Sequence, residues 1–305
     1  MPSPPDTPPS DASILDEDLA LDVAIRAARA AGELALAHLD APKYMQWKGH
    51  RDVVTGASFE VQALIVAILH EAFPDHGIMV EEGPEDEVIP VDAEHLWIVD
   101  PICGSLNFVQ AIPFFAVSIA LRSQGAIRIG VVYDPCRDEL FAATADGPAT
   151  LNGEVIFVQQ ISEGLEAMSK AVIGTDWPHS GERRELAGLM LPVFAEQVVE
   201  CNTMGSPALG LCYVAAGRLH AYWHLDLRIW DVAAASLIVQ RAGGTLTDAN
   251  GVTWLYSDGG YIASNSIIHG WTLRVITAIL MQPRKSDLVE QAEQARRQAP
   301  PPPRS

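Results

Sequence analysis

An acidic residue leaves an apolar strand and enters a glycine turn in the stretch Trp97-Ile98-Val99-Asp100-Pro101-Ile102-Cys103-Gly104-Ser105-Leu106-Asn107-Phe108. The apolar residues before Asp100 are partly β-branched, which predicts a rigid strand that ends at this carboxylate. Gly104 permits a tight turn, and a helical turn from Ser105 would point the amides of Gly104 and Ser105 outward as an anion cradle. The pattern is typical of a metal and phosphate site. The alternative is an Asx turn that closes a strand.

Two other segments place acidic residues at the ends of predicted elements. Ile78–Val80 forms a short apolar run that is followed by the pair Glu81-Glu82, for which the alternative is a solvated strand end. Further on, Asp231 occupies the expected N-cap position of a helix of small residues that stops at Gly243-Gly244. A simple N-cap is the alternative to a metal ligand at Asp231.

Taken together, the three segments resemble the inositol monophosphatase family of metal-dependent phosphatases from about Leu19 to Leu280. The family pattern has a glutamate pair, then Asp-Pro-Ile-Asp-Gly-Thr followed by Asn-Phe, then Trp-Asp-Val-Ala before a helix that ends in Gly-Gly. This chain matches the pattern with Glu81-Glu82, with Asp100-Pro101-Ile102-Cys103-Gly104-Ser105 and Asn107-Phe108, and with Trp230-Asp231-Val232-Ala233.

The resemblance implies three overlapping groups of site residues. The metal ligands would be Glu81, Asp100, Asp231 and the backbone carbonyl of Ile102. The catalytic group would be Glu81, Asp100 and Ser105, with Ser105 helping to place the attacking water. The substrate-binding group would be Gly104, Ser105, His224, Arg228 and Asp231, where the amides of Gly104 and Ser105 hold the phosphate. The alternative for His224 is a packing or capping histidine.

The chain also departs from the family pattern at positions that carry chemistry. Cys103 stands where the family has its second motif aspartate, a ligand of a second metal, and Ser58 stands where an aspartate pairs with the threonine that orients water. Magnesium prefers oxygen ligands, so a thiol should weaken the second position, whereas a thiolate would favour zinc or another softer metal. The alternative for Cys103 is a small buried hydrophobe in a silent site.

The resemblance implies a magnesium-dependent phosphomonoesterase that hydrolyses a small polyol or sugar phosphate by metal-activated water, and the thiol of Cys103 adds Zn or Mn as possible replacements for Mg. His224 lies at a position that is often acidic in the inositol-specific members, so inositol specificity is not supported. The alternative function is a catalytically impaired pseudoenzyme that still binds a phosphate ligand.

Composition restricts the partners of the chain. Its 305 residues carry 39 acidic and 20 basic side chains, and the net charge of -19 argues against nucleic acid and anionic membrane as partners. The four cysteines are scattered and form no Cys-x-x-Cys pair, so a reducing, cytoplasmic compartment is expected. A small phosphorylated metabolite is the expected ligand, and the resemblance implies a homodimer.

The apolar patterning predicts a layered α/β protein with two halves. An acidic, proline-rich tail is expected over residues 1–17, an α+β half with an antiparallel sheet over 18–153, an α/β half over 154–283, and a polar helix with a proline-rich tail over 284–305. The resemblance implies a five-layer αβαβα sandwich like that of fructose-1,6-bisphosphatase and inositol monophosphatase, with the metal site between the halves.

Overall fold

The computed structural model describes residues 15–41, 45–48, 53–83, 93–160, 168–253 and 257–281. The helices are α1 (Glu17–Leu39), α2 (Gly56–Ala72), α3 (Ser105–Val109), α4 (Gly181–Ala195), α5 (Pro207–Ala215), α6 (Ile229–Arg241) and α7 (His269–Leu280). The strands are β1 (Met45–Trp47), β2 (Val53–Thr55), β3 (Gly77–Val80), β4 (His95–Cys103), β5 (Ala116–Ser123), β6 (Ala126–Asp134), β7 (Glu139–Thr144), β8 (Thr150–Leu151), β9 (Glu154–Val155), β10 (Val172–Thr175), β11 (Glu200–Asn202), β12 (Ala221–Leu227), β13 (Thr245–Asp248) and β14 (Gly259–Ser264).

Two large sheets organise the chain, and β1 pairs with β2 in a separate two-stranded sheet. The first large sheet has the order β3-β4-β5-β6-β7-β8-β9, in which β3 is parallel to β4 and the other pairs are antiparallel. The second has the order β11-β10-β12-β14-β13, with β10 parallel to both of its neighbours. The sequence prediction of an antiparallel half joined to an α/β half is confirmed.

The helices separate these sheets into five layers. α1 and α2 pack on one face of the seven-stranded sheet, and α6 packs on its other face. α5 lies beside α6 and contacts the five-stranded sheet, whose far side is covered by α4 and α7. The predicted αβαβα sandwich is therefore confirmed. The proposed division of the chain at residues 153 and 154 stays a prediction.

The outer helix α1 lies close to its sheet because its inner face is built of alanine. Asp16 caps the helix by accepting a hydrogen bond of 3.0 Å from the Leu19 amide. The small buried side chains on the inner face are Ala20, Ala24, Ala27, Ala28, Ala31 and Ala35. They bury apolar surface without holding the helix away from the strands, which is why an alanine-rich segment forms a core helix here.

Local sequence explains the extent of two helices. α2 begins at Gly56, because Thr55 and Ser58 form a capping box at its start. Pro192 does not break α4, because it stands one turn before the end of the helix and disrupts little of the hydrogen-bond ladder.

The predicted ends of the chain fall mostly on residues that the structure leaves undescribed. Residues 1–14 of the expected N-terminal tail and the whole of 284–305 lie outside the described residues. Within the described ranges, no helix has both the length and the apolar character needed to cross a bilayer.

Candidate metal and phosphate site

Asp100 lies inside a buried strand rather than at its end. β4 continues to Cys103, and its pairing with β5 shifts register between Asp100 and Cys103. Within this irregular stretch the Asp100 carboxylate accepts a hydrogen bond of 3.0 Å from the Ile102 amide. The local bond is the Asx-type contact that the sequence left open, and it coexists with the cluster of acidic groups described next.

Glu81 reaches Asp100 because β3 runs parallel to β4. Val80 pairs with Val99, so Glu81 and Asp100 each follow one member of a paired couple and lie next to each other. The side chains of Glu81 and Asp100 are hydrogen-bonded to each other. Two carboxyl groups approach this closely only when a proton or a cation lies between them.

Lys48 is the basic residue beside this glutamate. Its Nζ lies 3.2 Å from Glu81 Oε1 and also pairs with the carboxylate of Glu82, which is buried. The backbone of Glu82 is held in turn by Gln62 on α2, which donates to its carbonyl and accepts from its amide, both at 2.9 Å. The glutamate pair is therefore anchored to a rigid helix rather than solvated.

Asp231 approaches the same place from α6. The sequence expectation that it is the N-cap is wrong: Arg228 is the cap residue and Asp231 is the third residue of the helix. From that position its Oδ2 accepts a hydrogen bond of 2.7 Å from the Arg228 amide. The start of the helix is further secured by Asp258, which accepts from the amide of Ile229 and from the Arg228 guanidinium.

The structure brings Asp100, Cys103 and Asp231 together. One ligand atom from each of these residues lies within 4.8 Å of the others. Burial, Glu81 and Asp231 together hold the pKa of Asp100 well above its usual range. Negative groups that meet in a dry site without enough positive charge favour the uptake of a proton or a cation, so the donor set fits a bound divalent ion.

Cys103 makes this donor set softer than three carboxylates would be. Its thiol is hydrogen-bonded to Asp100, and its Sγ accepts a bond of 3.3 Å from the amide of Ala208 near the start of α5. Burial raises the pKa of Cys103, and the charges of Asp100 and Asp231 raise it further. A neutral thiol in this position fits magnesium poorly, whereas the Glu81–Asp100 side of the cluster offers the oxygen ligands that magnesium prefers.

The glycine turn expected at Gly104 is present, and the role of its amides as a phosphate cradle stays a prediction. Gly104 has a φ of 116°, a left-handed conformation that favours glycine, and α3 begins at Ser105. The Ser105 hydroxyl donates to the carbonyl of Ile102 at 3.3 Å, so these two predicted site residues are in direct contact. Asn107 fixes the turn from below by donating to the carbonyls of Phe114 and Met204.

Ser58 is occupied with helix capping. Its amide donates to Thr55 Oγ1 at 3.2 Å, its Oγ accepts from the Thr55 amide at 3.4 Å, and the two hydroxyls lie 3.0 Å apart. This buried pair starts α2 and leaves no carboxylate at the position where the family has one.

His224 and Arg228 are placed differently from each other. His224 is buried in β12, where its Nδ1 accepts from the Asp226 amide at 3.1 Å and its ring also bonds to the backbone of Trp177. Burial, with His179 nearby, lowers the pKa of His224 to about 3. This arrangement favours the packing alternative for His224. Arg228 is exposed and paired with Asp258, at 2.8 Å, beside the start of α6.

Sequence reasoning missed three residues that shape this region: Gln62, Asp176 and Tyr222. Asp176 follows the buried strand β10, and an acidic residue after an apolar run is the same signal that identified Asp100. Gln62 and Tyr222 gave no local signal, because each lies on the apolar face of its element and contacts the site only after packing.

Comparison with known proteins gives the same answer as the motifs. The family model described as "Inositol monophosphatase family" matches residues 16–281. Among curated relatives, the chain is 38% identical to Nus factor SuhB of Vibrio cholerae, over 80% of this chain and 91% of the relative. It is 34% identical to Nus factor SuhB of Escherichia coli, over 87% of this chain and 95% of the relative.

Solved structures show the same architecture. The extragenic suppressor protein suhB from Bartonella henselae has a TM-score of 0.79 and 35% identity, over 84% of this chain and 98% of that chain. The IMPase of Thermotoga maritima has a TM-score of 0.78 and 31% identity, over 86% of this chain and 98% of that chain. The shared motifs, the layered fold and these matches together show that the chain belongs to the inositol monophosphatase family.

Proposed function

We propose that the protein is a metal-dependent phosphomonoesterase that acts on a small polyol or sugar phosphate. The observation that carries this proposal is the convergence of Asp100, Asp231 and Cys103, with Glu81 bonded to Asp100, beside a glycine turn. Carboxyl groups gathered in one buried cluster repel one another unless a proton or a cation lies between them, and phosphate transfer is chemistry that a cation supports.

The residues divide the work between cation and phosphate. Glu81, Asp100 and the carbonyl of Ile102 would hold one divalent ion, and Asp231 would take part with Asp100 on the other side of the cluster. Such an ion, when bound, would supply Lewis-acid activation of the phosphate and of water. The amides of Gly104 and Ser105 would bind phosphate oxygens, and the Ser105 hydroxyl, now seated on the Ile102 carbonyl, would orient the water.

Charge supports a requirement for metal. The net charge of -19 repels a phosphate ester, and two described cations beside the cluster are already paired, Lys48 with the glutamate pair and Arg228 with Asp258. Binding of a phosphate therefore depends on the bound cation and on backbone amides. We infer magnesium as the physiological ion, with Mn or Zn as substitutes that tolerate the thiol of Cys103.

A second candidate function is a phosphate-binding pseudoenzyme. This candidate is supported by the two positions at which the chain departs from the family pattern. Cys103 replaces a ligand of the second metal, and Ser58, which is hydrogen-bonded to Thr55, replaces the aspartate that supports water orientation. Curated relatives that carry the name Nus factor SuhB, rather than the name of a phosphatase, also keep a binding role open. The homodimer, the cytoplasmic location and the absence of nucleic-acid partners stay predictions.

The test is metal-dependent phosphate release from a panel of inositol, sugar, histidinol and nucleotide phosphates. We expect release with Mg²⁺, loss of release with a chelator, and a fall of roughly 10² to 10³ in kcat/KM for Glu81→Gln and Asp100→Asn. Asp22→Asn is the matched control, because Asp22 is an exposed carboxylate on the outer helix α1. Binding of inorganic phosphate without turnover of any ester would support the pseudoenzyme instead.

A further inference from the structure

Asp176 is a buried carboxylate that the metal cluster does not use. It follows β10 and is 7% exposed. Its Oδ1 accepts hydrogen bonds from the amides of Met204 at 2.7 Å and Gly205 at 2.6 Å, and its Oδ2 accepts one from the Tyr222 hydroxyl at 2.7 Å. Burial of a carboxylate is costly unless donors surround it, so this arrangement constrains the turn at residues 204–206 strongly.

That turn contacts the glycine motif at three points. Asn107 donates to the Met204 carbonyl at 2.7 Å, and the Ser206 hydroxyl donates to the Cys103 carbonyl at 2.8 Å. The carbonyl of Gly205 comes so close to Gly104 that a Cβ at Gly104 would lie 3.0 Å from it. The turn therefore forms one wall against which the predicted phosphate cradle is built.

The same turn sets where α5 begins. Pro207 is the first residue of the helix, and the Ala208 amide then donates to Cys103 Sγ. Tyr222 links the arrangement to the five-stranded sheet, since it lies in β12 and its hydroxyl binds Asp176. Displacement of the turn would move both the wall of the cradle and the amide that contacts the thiol.

We propose that Asp176 is a positioning residue: by binding the amides of Met204 and Gly205 it holds the turn at residues 204–206 against Gly104 and so preforms the phosphate cradle. This inference rests on the proposed function for its role in phosphate binding. The contact with the turn is a separate claim that can be measured without any substrate.

The test makes two measurements on the full chain. Amide hydrogen exchange reports on the turn at residues 204–206, and calorimetry measures the binding of inorganic phosphate in the presence of Mg²⁺. In Asp176→Ala we expect exchange at residues 204–206 to become roughly tenfold faster or more, because hydrogen bonds to a charged acceptor are lost. Phosphate affinity should fall by roughly tenfold or more for the same reason. Asp176→Asn should recover most of the phosphate affinity, since its amide oxygen can still accept from both backbone amides.

Two further variants separate positioning from general loss of stability. Asp248→Ala is the matched control, because Asp248 also accepts two backbone amides, from Asn250 and Val252, but its bonds lie outside the turn at residues 204–206. It should leave exchange at that turn unchanged. Tyr222→Phe removes only the bond to Oδ2, so it should affect phosphate affinity less than Asp176→Ala does.

The outcomes decide the two claims separately. Two results for Asp176→Ala would overturn the positioning role: exchange at residues 204–206 that is unchanged, or exchange that is faster while phosphate affinity is unchanged. If Asp176→Ala does not fold, Asp176→Asn takes its place in the test. That variant should accelerate exchange at the turn by a few fold, because a neutral oxygen is a weaker acceptor, and no acceleration would overturn the role as well. A wild-type protein that binds no phosphate with Mg²⁺, Mn²⁺ or Zn²⁺ refutes the proposed function, while the exchange result still decides whether Asp176 holds the turn.

Discussion

Cys103 distinguishes this site from one lined entirely by oxygen ligands. Its thiol is hydrogen-bonded to Asp100 and accepts a hydrogen bond from the Ala208 amide, so it connects the acidic cluster to the start of α5. The residue is 2% exposed and its pKa is raised, which keeps the thiol neutral. It therefore adds neither a charge nor a hard oxygen to the cluster, and a second magnesium ion loses a ligand.

We predict that Cys103→Asp raises magnesium-dependent phosphatase activity by roughly 10² to 10³, because it restores an anionic oxygen beside Asp100 and Asp231. The new carboxylate can also accept the Ala208 amide, so the cap of α5 is preserved. Without metal, however, a third buried carboxylate should destabilise the fold. The measurement compares phosphate release and Tm of wild type and variant across magnesium concentrations.

Cys103→Asn provides the uncharged control for this substitution, and it should gain neither activity nor a magnesium-dependent rise in Tm. If the water-orienting position limits turnover more tightly, the gain will appear only in the double variant with Ser58→Asp. An aspartate at position 58 can still cap Thr55, since acidic residues are accepted at that helix position. High wild-type activity with magnesium that falls in Cys103→Asp would show that the cysteine belongs to a working site.

At the scale of elements, the packing of α5 against β12 depends on a glycine. Tyr222 is 1% exposed, and a Cβ at Gly210 on α5 would overlap its ring. A Cβ at Gly188 on α4 would have no heavy atom of a neighbouring residue within 4 Å. Both glycines lie in helices, so a comparison of their alanine variants distinguishes the effect of close packing from the intrinsic cost of glycine in a helix.

We predict that Gly210→Ala lowers the free energy of unfolding by about 1 to 3 kcal/mol, because the methyl group forces apart a tightly packed helix and strand. Gly188→Ala should instead raise it by about 0.5 to 1 kcal/mol, since alanine favours the helix and meets nothing. Chemical denaturation of both variants measures the difference. Equal effects of the two substitutions would contradict the packing argument.

At the scale of the whole molecule, the buried His224 and the half-buried His76 tie stability to pH. Burial lowers the pKa of His224 to about 3 and that of His76 to about 4. In the unfolded chain these histidines bind protons near their ordinary pKa of about 6.5. In the folded chain they bind protons only near the lowered pKa values, so the unfolded state holds more protons between the two. Their contribution to stability is complete above that value and is lost as the pH falls towards 4 and then 3.

We predict that His224→Asn makes the fold less sensitive to acid. An asparagine Oδ1 can accept the Asp226 amide in place of Nδ1, but it takes up no proton. Between about pH 6 and 4 the wild type should therefore lose about 1.4 kcal/mol per pH unit more than the variant. Urea unfolding at several pH values measures this difference, and parallel pH curves would contradict it. Because Asp100 is present in both proteins, its raised pKa does not affect the comparison.

The sequence by itself determined the order of motifs and the alternation of helices and strands in a layered α/β protein, and the resemblance carried by those motifs identified the acidic residues that meet at the site. These features depend on residue type and on local periodicity, both of which are written along the chain. Glu81 and Asp100 could be predicted to approach each other because each follows an apolar run in the sequence. The departure at Cys103 was also visible, since it interrupts a motif.

Only the tertiary structure decided which partners these residues have. Cys103 meets the Ala208 amide across 105 positions of sequence. The ring of His224 is bonded to neighbouring backbone in β12, whereas the sequence left both a substrate contact and a packing role open for this residue. Asp176 contacts its turn because β10 lies beside β11, the strand that the turn follows, in the five-stranded sheet. Such contacts arise from the packing of layers, and a local pattern carries no information about which distant backbone groups will face a given side chain.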